Sequence, residues 1–180
     1  MTSITNKETA LLGLLHEGPM HPYQIEKVVQ FRDMRFWTEI SMSSIYKVLS
    51  NLEVKGLVTS EVSISDSNKP QRTYSLTEEG SRALSKRVIE ILSEPEHLIF
   101  RVDLGTYNMD AADPKDIEKA LESYENRLRE DLKGYKDLEV FMRGLQCSEN
   151  RLAVAVRPQF LIKGELEWLD AFMKKVLKVA

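Results

Sequence analysis

A single cysteine, Cys147, stands in this chain of 180 residues. It excludes an intrachain disulfide and, with no resolving thiol to pair with, fits a passive side chain better than a redox sensor. Histidines are almost as scarce, at 16, 21 and 97, and none has the Cys-x-x-Cys or His-x-x-x-His spacing of a zinc site. There is no glycine-rich phosphate loop and no Gly-x-Ser-x-Gly elbow. Asp110, Asp113 and Asp116 lie three apart. No glycine or bidentate glutamate completes a calcium loop around them, and acids at that spacing suit the capped first turn of a helix. His16 and His21 flank a turn with no base or nucleophile nearby in sequence. No metal, cofactor or catalytic residue is expected, and an enzyme has almost no residue support.

Long apolar runs are missing too. Nothing approaches the roughly 18 consecutive apolar residues of a membrane span. Met1-Thr-Ser-Ile-Thr-Asn-Lys-Glu has no basic flank and no apolar stretch, so no signal peptide is expected. A cytoplasmic protein is the expectation. Charge of one sign is also lacking: 25 Lys and Arg face 28 Asp and Glu, a net charge of -3. That excludes a polycation but leaves a local basic face open. What is present, 42% hydrophobic and 29% charged residues, is enough to bury a core and excludes a disordered chain.

The composition shifts near residues 94–113, which suggests two domains, 1–94 and 95–180. In the first, Thr5 and Glu8 have capping-box spacing ahead of a helix over 6–16, with Ala10, Leu11, Leu14 and Leu15 on one face. Gly18-Pro19 ends it, and His21-Pro22 opens a second helix, running to about Arg32, with Tyr23, Ile25, Val28 and Val29 on its face. A third covers about 42–55, with Ile45, Val48, Leu49 and Leu52 as its buried stripe and Gly56 closing it. Leu57 to Ile64 and Thr73 to Leu76 read as two strands around a polar turn at 66–70. Thr77 then caps a helix over about 78–92, with Leu84, Val88, Ile91 and Leu92 expected inward. This order, three helices, a hairpin and a helix, is that of a winged helix-turn-helix. The fold class is mainly α with a small β-hairpin.

The second domain reads as a linker and two long helices. From Asp113-Pro114, apolar residues recur every three or four positions through Leu128, Tyr135 and Leu138 to Leu145. A helix over about 150–179 carries Leu166, Trp168, Leu169, Phe172, Met173 and Val176, with Pro158 expected to kink it or delay its start. Sustained spacing near 3.5 argues for a coiled-coil-like partner, and a second copy of the chain is the expected one, joined through these residues.

Wrapped at 100° per residue, the third helix turns Ser43, Ser44, Tyr46, Lys47, Ser50 and Asn51 outward, with no acid before Glu53. Hydroxyls, an amide and a cation on an acid-free face suit double-stranded DNA. The same face suits an ordinary solvated surface equally. Lys69, Gln71 and Arg72 on the hairpin add a reach toward flanking DNA. Residues 42–76 hold four basic side chains against three acidic ones, so arrangement must carry the reading and composition does not. An adaptor that binds another protein through the long helices, with a winged helix that no longer binds DNA, is the alternative.

Three stretches resemble the PadR family of bacterial transcriptional regulators. They are Ala10-Leu-Leu-Gly-Leu-Leu with Gly18-Pro-Met-His-Pro-Tyr-Gln-Ile, then Ser44-Ile-Tyr-Lys-Val-Leu-Ser-Asn-Leu-Glu-Val-Lys-Gly-Leu-Val, then Pro70-Gln-Arg-Thr-Tyr-Ser-Leu-Thr-Glu-Glu-Gly. The resemblance implies a recognition helix in the second stretch and a wing in the third. It places DNA contacts on Tyr23, Tyr46, Lys47 and Arg72. The last two helices are similar to the virulence-activator-like dimerisation region of one PadR subfamily. Together they imply a homodimeric repressor released by a small molecule or another signal. Two departures stand out: Lys47 where the family often has Arg, and the bulky run Phe31-Arg-Asp-Met-Arg-Phe-Trp-Thr, whose Trp37 is expected in the core rather than lining a ligand cavity.

Overall fold

The structure, a computed structural model, describes residues 4–64, 70–97 and 99–177. It forms two compact units, Met1–His97 and Leu98–Ala180. The first holds α1 (Asn6–His16), α2 (Pro22–Phe31), α3 (Met42–Val54), β1 (Val58–Ile64), β2 (Pro70–Leu76) and α4 (Glu78–Ser93). Local chemistry sets the helix ends. Thr5 and Glu8 close a capping box on α1, His21 caps α2 ahead of Pro22, and the Thr77 hydroxyl accepts the Gly80 N–H at the head of α4. Gly56 leaves α3 at φ +71, a left-handed conformation that a Cβ disfavours.

The core gathers Leu11, Leu12, Leu14 and Leu15 of α1, Ile25 and Val29 of α2, Ile45, Leu49 and Leu52 of α3, and Val58 and Tyr74 of the hairpin. Leu12 belongs to it as fully as its neighbours, because α1 is packed by α3, α4 and β2 on several sides. The strands pair antiparallel from Val58 opposite Leu76 to Ile64 opposite Pro70. β2 therefore starts three residues before the expected Thr73, with its proline at the first position, where no ladder N–H is lost from the strand interior. On its other edge Tyr74 exchanges two backbone hydrogen bonds with Met20, at 3.0 and 2.9 Å, which ties the α1–α2 turn to the base of the hairpin. The buried Glu8 carboxylate receives Lys55 Nζ at 2.6 Å and so links the start of α1 to the end of α3.

Two expectations for this unit are corrected. Val88, Ile91 and Leu92 are exposed, Leu92 at 82%, and only Leu84 of that set packs on the core. α4 is longer than the α1 it packs against, and its last turns leave these side chains exposed. Trp37 is 48% exposed, at the end of a 3-10 turn over Met34–Phe36. Met34 and Ile40, on either side, enter the core in its place.

The second unit holds α5 (Arg101–Tyr107), α6 (Pro114–Gly144) and α7 (Glu149–Val176). The short α5 and a 3-10 turn at Met109–Ala111 occupy what reads in sequence as linker. Asp113 caps α6 through the Lys115 N–H. α7 begins before Pro158 and runs through it, so the proline does not delay the helix; it removes one backbone donor from the helix interior. Tyr124 of α6 reaches Glu165 of α7, and Gln159 reaches Tyr135 and Glu139, so the two helices run antiparallel. Burial and the Glu165 carboxylate push the Tyr124 hydroxyl up to about 12. Among the described residues no helix is long and apolar enough to cross a membrane.

Candidate nucleic-acid interface

α3 is positioned by its inner stripe. Ile45, Leu49 and Leu52 are buried, and Val48 is half-buried. The same rotation leaves Ser43, Tyr46, Lys47, Ser50 and Asn51 exposed, Tyr46 at 59%. Ser44 is placed differently. Its hydroxyl accepts the Ser41 N–H at 2.9 Å and donates to the Ser41 carbonyl at 2.7 Å, so it serves the head of the helix.

The start of α2 presents a second exposed group. Tyr23 is 56% exposed, its ring parallel to that of His21 at 6.2 Å, with Lys27 Nζ 4.6 Å from its centroid. His21 Nδ1 accepts the Gln24 N–H, and burial with the nearby Lys27 charge holds the imidazole below its ordinary value. A neutral ring is what the cap requires. Lys27 was not among the expected contacts. Its spacing of four from Tyr23 was the available signal.

The hairpin separates its two described candidates. Successive residues of a strand face opposite sides. Arg72 lies opposite Val62 on the face that carries Tyr74 and Ser60, and Gln71 lies on the other. Arg72 Nη1 is 3.6 Å from Oε2 of Glu53, at the end of α3. The Glu53 carboxylate also accepts the Ser60 hydroxyl. A hydrogen bond with Tyr74, then the Tyr74 and Glu53 charges, push the Arg72 guanidinium further up. Lys69 falls outside the described residues.

In the second unit Leu169 is 1% exposed, packed between α6 and α7. Leu128, Tyr135, Leu138, Leu166, Phe172, Met173 and Val176 are half-buried, and Trp168 stacks on Phe172 at 5.2 Å with its outer side exposed. Among the described residues no group of three or more His, Cys, Asp or Glu is placed to hold a metal ion.

Residues 11–86, from α1 into α4 and including α3 and the hairpin, match the transcriptional regulator PadR-like family. The N-terminal unit is a PadR-like transcriptional-regulator domain. The family is one of regulators and not of enzymes. The fold of the whole chain is similar to that of Bacillus subtilis PadR in complex with operator DNA, with a TM-score of 0.77 and 20% identity over 93% of this chain and 97% of that one. It is also similar to the same protein in complex with p-coumaric acid, at 0.73 and 19% identity over 92% of each chain. A Streptococcus mutans protein, smu.1604c, aligns at 0.61 and 20% identity over 94% of this chain and 99% of its own. At these identities the likeness is one of fold. No curated protein sequence matches the chain. Within the PadR-like domain, the exposed face of α3 and the start of α2 are the places where side chains suited to nucleic acid collect.

Proposed function

We propose that the protein is a sequence-specific DNA-binding repressor. It acts in the cytoplasm as a homodimer on a pseudo-palindromic operator and is released by a small-molecule effector. The observation that carries this reading is the exposed, acid-free outer face of α3 in a PadR-like domain. α3 enters the major groove, where Ser43, Tyr46, Lys47 and Asn51 meet base edges and phosphates. Tyr23 and Lys27 meet the backbone beside it, and the wing, with Lys69 and Gln71, reaches the flanking DNA. The hydroxyl of Ser44, engaged in the cap, contributes through helix geometry. Two copies present their helices about 34 Å apart, one turn of the duplex. The apolar residues that α6 and α7 leave exposed, Trp168 among them, are what a second copy covers. Dissociation by an effector is assigned by likeness to Bacillus subtilis PadR, which was solved with p-coumaric acid as well as with operator DNA.

Selection of bound duplexes from a random library, at near-physiological salt, tests this. Enrichment of an inverted repeat is the expected result. Binding only at low salt with nothing enriched reduces the protein to a non-specific binder. No binding at any salt turns the reading to the adaptor alternative, in which the α6–α7 pair engages another protein.

A further inference from the structure

We infer that Glu53 and Arg72 form a brace that sets the direction of the wing on α3, so that Arg72 acts as a positioning residue and not as a phosphate contact. Its consequence for DNA rests on the function proposed above. The brace itself rests on geometry within the N-terminal unit.

A two-stranded hairpin is marginal by itself and needs something to lean on. The inner half of this one has it: Val58 and Tyr74 are buried, and Tyr74 is further tied by its bridge to Met20. The outer half does not, since Val62 and Ile64 stand in solvent. Between the halves lies a carboxylate that holds both strands. Glu53, in the last turn of α3, accepts the Ser60 hydroxyl from β1 and pairs with the Arg72 guanidinium from β2 at 3.6 Å. Arg72 lies two residues from Tyr74 on the same face of the hairpin. The planar fork of an arginine holds a carboxylate in a fixed direction, which the point charge of a lysine does not.

The brace also accounts for an acid where one is unwelcome. Glu53 is the first acid met along the α3 helix, and near a phosphate backbone an unpaired carboxylate only repels. Paired with Arg72, its charge is offset. The guanidinium is in turn directed toward α3.

The test compares signs. Parent, Glu53→Gln and Arg72→Lys proteins are titrated with a duplex selected by the parent, across a salt series, and the exchange of hairpin amides is followed without DNA. Electrostatics alone makes Glu53→Gln bind more tightly. The brace makes it bind about tenfold more weakly, with the salt slope unchanged and faster exchange across 58–64 and 70–76. Arg72→Lys keeps the charge and is expected to lose a similar factor. The double variant is expected to be no weaker than either single one. Glu53→Gln binding as well as the parent with unaltered hairpin exchange overturns the brace, as does Arg72→Lys binding like the parent. If the parent selects no duplex, the proposed function fails, and the exchange of the free variants still decides the brace.

Discussion

The shorter helices of this molecule make the better core. α1, α2 and α3, with the hairpin, leave Leu12, Ile25, Val29, Leu49 and Leu52 with no exposed surface. α6 and α7 run to 31 and 28 residues. Yet Leu121, Leu152, Ala155 and Leu169 are the buried hydrophobics found on them among the described residues. Val140, Leu145, Phe160, Leu161 and Trp168 stay exposed. Two helices side by side cover one stripe on each, whatever their length, while elements packed from several directions cover whole side chains. Burial follows the number of neighbours in space, and an apolar period along the chain only makes a residue eligible for it.

The sharpest way to break this comparison is a methyl group. A Cβ at Gly80 stands 2.0 Å from the Leu57 carbonyl oxygen, which is backbone and cannot give way. Gly80→Ala is expected to cost about 4 kcal/mol or more by prising α4 from the hairpin. Gly134→Ala or Gly164→Ala, in α6 and α7 with nothing within 4 Å, is expected to gain about 0.5–1 kcal/mol of helix preference. Urea denaturation of the three variants reads the difference. An unchanged midpoint for Gly80→Ala would show that α4 is not seated on Leu57.

Leu49→Ala is expected to cost about 3 kcal/mol by leaving a cavity in a closed core, at any protein concentration. Trp168→Glu probes the other unit. Within one chain the change loses the stack on Phe172 and is expected to cost about 1 kcal/mol. If a second copy covers that face, sedimentation will show the dimer reduced to monomer. A variant that sediments like the parent removes Trp168 from the interface.

The Glu8–Lys55 pair gives a pH test. Burial raises the Glu8 carboxyl, but hydrogen bonds from Lys55 and the Thr5 backbone, with the Lys55 charge, outweigh it and hold the group below 4.5. A group lowered on folding lends stability that is complete above its unfolded value and is lost as pH falls through the folded one. Lys55→Met is expected to cost about 3 kcal/mol at neutral pH, because the buried carboxylate loses its partner. Parent and variant should then converge on acidification below 4.5. Parallel stability curves would show that the pair contributes nothing.

The smallest effect belongs to the solvent side of α3. Lys47→Ala is expected to leave stability within about 0.5 kcal/mol of the parent. It should weaken binding to all duplexes roughly fivefold and lower the salt slope by about 0.9. An unchanged slope would remove Lys47 from the phosphate contacts.

What was legible in the chain was local. The bounds of α1, the caps at Thr5 and Thr77, the start of α2 at Pro22 and the closing turn at Gly56 rest on groups within four residues of one another. The outward turn of Tyr46, Lys47 and Asn51 follows from the period of α3 and its apolar stripe. α5 was not legible, because seven residues with no buried face leave no periodic signature. Ser44 looked like one more outer hydroxyl until the cap claimed it.

The remaining features needed the chain to fold back on itself. Apolar character at Trp37, Ile91 and Leu92 made each a fair core residue, but none is covered among the described residues. Arg72 is as basic on paper as Lys47, and its meeting with Glu53, 19 positions earlier, exists only once the hairpin returns to the end of α3. Helix periods, caps and turns are short-range and are written in the order of residues. Which stripe is covered, and which charges meet, depends on distances that only the assembled fold sets.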